Sequence, residues 1–258
     1  LLAAGVTALA WISPSLWRTA LIPLSEPLFL LLLVATLFAA ARMEERPGTG
    51  GVLLFLLAGA AAYHARTAGV AVLAGGVAAL LLSRRWRASA WAVAGVVGVV
   101  LPWALWSRAV AGSILPSLQD TLGPYGGWLL GQIRAAPGDF LASLPGNLGG
   151  LLSLFLSLQL PGVEGLVRWL GLLLLPICVW GIFRAGLKSP TLPLTLVVAF
   201  GTLTLWPFQA VRLFAPLHPF LVLGTVLGLR ALWASWRGSR WRSLPLAALG
   251  AAWLLAMV

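Results

Sequence analysis

Five residues in this chain combine reactive or charge-bearing side chains with a place between apolar runs: Glu26, His64, Arg66, Arg212 and His218. Glu26 opens one run through Ser25-Glu26-Pro27. His64 and Arg66 sit in the turn Tyr63-His64-Ala65-Arg66-Thr67 between two others. Arg212 and His218 lie in Trp206–Phe220, where Pro207, Pro216 and Pro219 stiffen the backbone. A carboxylate can hold or deprotonate a hydroxyl group. An arginine fork donates two parallel hydrogen bonds and so suits a phosphate. Each residue also has a plainer reading. Glu26 before Pro27 complements a helix N-terminus, and arginines at run ends reach toward lipid headgroups. Two histidines without carboxylate partners do not make a metal site, so no metal and no other cofactor is expected. Neither a glycine-rich phosphate loop, a Ser/His/Asp set nor a Cys-x-x-Cys pair occurs, and the single cysteine, Cys178, excludes a disulfide framework.

The elements that must position these residues are set by composition. The chain is 60% hydrophobic and only 9% charged, against about 25% charged in a soluble domain. Apolar runs near the length needed to cross a bilayer recur throughout. Stretches such as Leu28–Leu37 are apolar at every position, which fits helices and not the alternation of barrel strands. The expectation is an all-α polytopic membrane protein forming one transmembrane domain over residues 1–258. Spans are expected at Leu28–Arg42, Val52–Ala62, Gly69–Leu82, Ala90–Trp106, Leu166–Phe183, Leu192–Trp206, Leu213–Trp233 and Leu244–Val258. Leu1–Ile12 reads as the end of a further helix. The total is about nine, with the first and last incomplete, so the chain is expected to be a fragment. Residues 107–165 lack a clean run and read as a large external loop holding amphipathic or re-entrant helices, at Trp128–Leu144 and Leu148–Leu160.

Orientation follows from lysine and arginine. Threading the spans alternately puts 11 of the 17 basic residues on one side: Arg42, Arg46, Arg84, Arg85, Arg87, Arg184, Lys188, Arg230, Arg237, Arg240 and Arg242. That side is expected to be cytoplasmic. Glu26, the His64/Arg66 turn and the Arg212/His218 turn then share the external face. The formal net charge of +11 reports topology, and no soluble basic domain is present to hold nucleic acid. The 14 tryptophans gather near span ends, as an aromatic belt does.

The order of these features resembles a known group. Ser25-Glu26-Pro27-Leu28-Phe29, His64-Ala65-Arg66-Thr67-Ala68-Gly69 and Val211-Arg212-Leu213-Phe214-Ala215-Pro216-Leu217-His218-Pro219-Phe220 are similar to an "SE-x-L-F" helix start, an "R-x-x-G" turn and an "R-Y-L-x-P-x-x-P" segment. All three belong to polyprenyl-phosphate-dependent glycosyltransferases of the GT-C fold, in the ArnT-like, Rgt-like and protein O-mannosyltransferase (family 39) branch. Leu213 stands where that group usually has tyrosine. The resemblance implies a GT-C helical bundle in a bacterial inner membrane whose site faces the periplasm. It implies transfer of a sugar from a polyprenyl-phosphate donor to a glycan, lipid or protein acceptor. Glu26 would line the cavity on the acceptor side, and Arg66 and Arg212 would contact the donor phosphate, with His64 and His218 beside them. The principal carboxylate of the group belongs to an earlier external loop, expected upstream of Leu1. The competing readings are a transporter or flippase and a non-catalytic membrane subunit. A transporter predicts ionisable groups near span centres, whereas here they gather at span ends.

Overall fold

The computed structural model describes residues 26–46, 48–110, 125–160, 171–187, 189–205, 211–236 and 248–253. The spans Leu1–Ile12 and Leu244–Val258 therefore fall outside the described residues, apart from the helical residues 248–253. In chain order the helices are α1 (Glu26–Glu45), α2 (Thr49–Ala65), α3 (Val70–Leu82), α4 (Trp86–Val110), α5 (Tyr125–Ala135), α6 (Pro137–Gln159), α7 (Leu174–Gly186), α8 (Thr191–Thr204), α9 (Val211–Phe214) and α10 (His218–Trp236). Short 3-10 turns at Thr67–Gly69, Gly171–Leu173 and Ala215–Leu217 lead into α3, α7 and α10. No strand occurs among the described residues. Four helical segments are long and apolar enough to cross a membrane: Glu26–Glu45, Trp86–Val110, Pro137–Gln159 and Ala215–Ser235. This is an integral membrane protein. Thr49–Ala65, Thr67–Leu82, Gly171–Gly186 and Thr191–Thr204 are shorter apolar helices.

The helix borders lie within a few residues of the sequence expectation except between 125 and 160. There the helices expected at Trp128–Leu144 and Leu148–Leu160 are divided differently: α5 ends at Ala135, and α6 runs as one helix of 23 residues through Pro145. Proline removes one backbone donor and strains a helix, but membrane helices carry it where local adjustment of the turn or a neighbouring group satisfies the freed carbonyl. Pro102 is carried inside α4 in the same way.

Short turns join α1 through α4, so these helices run alternately up and down. At the α3–α4 turn Arg84 adopts a left-handed backbone with φ 55°. The Arg84 and Arg85 amides donate back to the Leu81 and Leu80 carbonyls, closing the end of α3 as glycine more often does.

Helices α1 to α4 share a core built on Ala39, Ala40, Met43, Phe55, Leu73, Leu80 and Ala92. A second core joins α6, α7 and α10 through Phe155, Leu156, Leu174, Cys178, Leu221 and Val222, with Trp253. Between them Phe29, Leu33, Ala62 and Val72 meet Phe220 of α10. Helix α8 packs along α3. Because lipid is as apolar as the helix surface, close backbone approach must supply much of the association energy. A Cβ on Gly75 would overlap Thr195 of α8, and one on Gly181 of α7 would overlap the Gly224 carbonyl of α10. A Cβ on Gly228 would overlap the Ile177 carbonyl. Gly98 of α4, in contrast, faces open space.

Gly181→Ala is expected to lower the stability of the detergent-solubilised protein by about 1–3 kcal/mol through overpacking. Gly98→Ala should leave it unchanged or raise it by up to about 1 kcal/mol. Thermal unfolding of both variants measures this, and equal midpoints would show that the α7–α10 crossing tolerates a methyl group.

Candidate functional site

The Arg66 turn is built by local chemistry. Helix α2 ends where Arg66 leaves the helical region for an extended backbone, φ −159° and ψ 128°. Its amide still donates to the Ala62 carbonyl at 2.9 Å, and the Gly69 amide donates to the Arg66 carbonyl at 2.8 Å. Gly69 lies against the backbone of α2, where a Cβ would come within 2.6 Å of the Tyr63 nitrogen. The Arg-x-x-Gly spacing thus has a physical reason. Only glycine lets the chain fold back this closely while Arg66 is held at the tip.

Arg66 is turned toward α1. Its Nη1 donates to Glu26 Oε1 at 2.6 Å. The Glu26 side chain is 4% exposed and that of Arg66 18%. Two residues forty positions apart, each in a motif singled out above, therefore meet in a shielded ion pair at one end of the bundle. Glu26 is in the first turn of α1, where the helix dipole also favours its negative charge. The plainer capping role and the pairing role thus coexist. Glu26 Oε2 is buried without a hydrogen-bond partner among the described residues.

The other three candidates are placed differently. The Ala215–Leu217 turn packs against α1, and Phe220 joins the cluster of Phe29, Leu33 and Ala62. The segment that follows Arg212 therefore lies at the same end of the bundle as the ion pair. Arg212 is the second residue of α9, and its side chain lies outside the described part. His64 is exposed and faces away toward α4, its ring 5.6 Å from those of Tyr63 and Trp103. His218 is fully buried. Its ring lies near the Leu158 backbone, and neither ring nitrogen has a well-aligned partner among the described residues. The arrangement thus unites Glu26 with Arg66 and brings up the Arg212 segment, while His64 and His218 stand apart. No group of three or more His, Cys, Asp or Glu side chains that could hold a metal occurs among the described residues.

Two buried polar contacts escaped the sequence reading. Glu44, two residues past the expected end of the span Leu28–Arg42, is buried in the last turn of α1 and accepts a hydrogen bond from Thr191 Oγ1 of α8. Gln159, at the end of α6, accepts one from Trp253 Nε1 at 3.0 Å. A cue for the first existed in Ser189-Pro190-Thr191, a helix-start pattern at the same side of the threaded topology as Glu44. The second has no comparable cue, because glutamine and tryptophan are both common at membrane borders.

Removing either partner of the Glu26–Arg66 pair would strand the other, at a cost of about 3–5 kcal/mol when a buried pair is broken. A cycle of Glu26→Gln, Arg66→Gln and the double variant is expected to show coupling of about 1–3 kcal/mol in thermal unfolding. Strict additivity would mean that the two charges do not depend on each other.

Comparison with protein-family models, with curated proteins and with solved structures gives no match to the chain.

Proposed function

We propose that the protein is a membrane glycosyltransferase that moves a sugar from a polyprenyl-phosphate carrier to a lipid, glycan or protein acceptor. In this reading the chain is a GT-C bundle of about nine membrane helices in a bacterial inner membrane, with the Glu26–Arg66 end facing the exterior. The observation that carries it is the buried pair itself. The motifs around Glu26 and Arg66 were each matched by resemblance to one substrate cavity, and the two side chains meet. The position of the Ala215–Leu217 turn against α1 adds the third motif to the same neighbourhood.

The reaction is a displacement at the anomeric carbon. The acceptor hydroxyl oxygen forms a bond to that carbon while the bond from carbon to phosphate oxygen breaks. The electron pair leaves with the polyprenyl phosphate, and the hydroxyl proton passes to a carboxylate. Arg212 and the remaining donors of Arg66 neutralise the departing phosphate, the form of stabilisation that counts most where water is excluded. Glu26 Oε1 is occupied by the guanidinium, so Oε2 is the atom available to orient the acceptor hydroxyl. Arg66 thereby links acceptor and donor halves, holding a carboxylate on one side and a phosphate on the other.

A second reading has one specific observation in its favour. Glu26 is 4% exposed, as a purely structural tie in a non-catalytic membrane subunit would be. A transporter or flippase is supported less, because the buried ionisable residues Glu26, Glu44 and His218 all lie in the first or last turn of their helices.

The full-length enzyme reconstituted with a radiolabelled polyprenyl-phosphate sugar and cell-envelope acceptors decides between these. Arg212→Ala is expected to reduce transfer at least about a hundredfold, as loss of one preorganised donor to a developing negative charge does, with its elution profile unchanged. Transfer at the wild-type rate by the folded variant would remove Arg212 from the phosphate site, and absence of transfer by the wild type would favour the structural reading.

A further inference from the structure

On a different face of the bundle, α3 and α4 leave a groove of about 290 Å³ lined by Val70, Val96, Val97, Val100, Leu101 and Ala104. Every lining side chain is aliphatic. Val97 and Leu101 are each 49% exposed, so the groove opens toward lipid. Its α4 wall, Val97, Leu101 and Ala104, advances by four and then three residues, which is one stripe of a helix. The next position on that stripe is Arg108, which is exposed and sits one turn, about 6 Å, beyond Ala104. The Cα–Cβ bond of a helical residue tilts toward the preceding turn, which sets Arg108 over the mouth of the groove. Among the described residues no carboxylate lies within ion-pair distance of it.

The same end of α4 carries a second marker. Trp103 and Trp106 pack with ring centroids 5.0 Å apart, and the His64 ring meets Trp103 edge-on at 5.6 Å. Aromatic groups of this kind settle at the depth of lipid headgroups. Arg108, two residues beyond Trp106 and five beyond Trp103, is then level with the phosphates, and the groove beneath it is level with acyl chains. Val97 to Ala104 spans about 10 Å along the helix axis, enough for a stretch of one chain.

We infer that the α3–α4 groove and Arg108 form a binding site for an anionic phospholipid of the surrounding bilayer, with one acyl chain in the groove and its phosphate on the guanidinium. An aliphatic groove has no preference among lipids by burial alone, since it replaces one apolar neighbour with another. Selectivity therefore rests on Arg108, and a cation near an anionic headgroup strengthens retention by roughly fivefold. The site is separate from the Glu26–Arg66 pair, which lies between α1 and the turn after α2, and does not depend on any reading of that pair.

The test uses the full chain in detergent, incubated with phosphatidylglycerol, with phosphatidylcholine or with polyprenyl phosphate, and bound lipid counted by native mass spectrometry. Wild type is expected to retain phosphatidylglycerol over phosphatidylcholine. Arg108→Gln should lose about fivefold of that preference, and Val97→Phe, which fills the groove from its open side, should reduce retention of the acyl chain with either headgroup. Arg87→Gln, at the opposite end of α4, should leave retention unchanged. Undiminished preference in Arg108→Gln, an equal loss in Arg87→Gln, or retention of polyprenyl phosphate alone would each overturn the assignment.

Discussion

The fold depends first on how closely its helix backbones approach. In water a bundle is held by burial of apolar surface, but in lipid both faces of a helix are already among apolar neighbours. What remains is dispersion at short range, and this requires small residues where helices cross. Gly75 against Thr195 joins α3 to α8, and Gly181, Gly224 and Gly228 join α7 to α10. The first crossing ties α8 to the α1–α4 core, and the second lies inside the core of α6, α7 and α10. Other large apolar side chains, among them Leu31, Phe38, Leu57 and Trp91, point outward.

On that frame the few buried polar contacts act as locators. A hydrogen bond or ion pair in a medium without water has no competitor, so it fixes which residues face each other. Glu26–Arg66 sets α1 against the turn between α2 and α3, and Glu44–Thr191 sets α1 against the start of α8. Asn147 Nδ2, donating to the Thr204 carbonyl at 3.0 Å, attaches the middle of α6 to the end of α8. The first two contacts lie near the ends of α1, where their polar atoms stay close to water during insertion.

The helical, membrane-embedded character of the chain was legible in composition, and most borders in the positions of Pro, Gly and charge. Which face of each helix packs was not. Helix α1 is apolar on all sides, so no amphipathic stripe separates Phe29, Leu33, Ala40 and Met43, which are buried, from Leu28, Leu31 and Phe38, which meet lipid. The trace that survives is size, in the small residues Thr36, Ala39 and Ala40 on the packed side. For the site, sequence placed Glu26 and Arg66 on one face by counting spans, yet counting cannot say that two residues touch. It grouped His64 and His218 with them on the same grounds, and both rings point elsewhere because a turn has more than one side.

Helix α1 is fastened at both ends, Glu26 to Arg66 and Glu44 to Thr191, and its 20 residues extend for about 30 Å, the thickness of a bilayer's hydrocarbon core. Membrane helices ordinarily absorb a thicker or thinner bilayer by tilting. This one cannot tilt far without releasing a buried carboxylate. In a bilayer of different thickness the adjustment would fall on α4, which at 25 residues is longer than the core and has few protein neighbours. Hydrophobic mismatch would then move the wall of the groove on α4 while the ion pair at the end of α1 stays in place, so that bilayer thickness is sensed on one face of the protein and ignored on another.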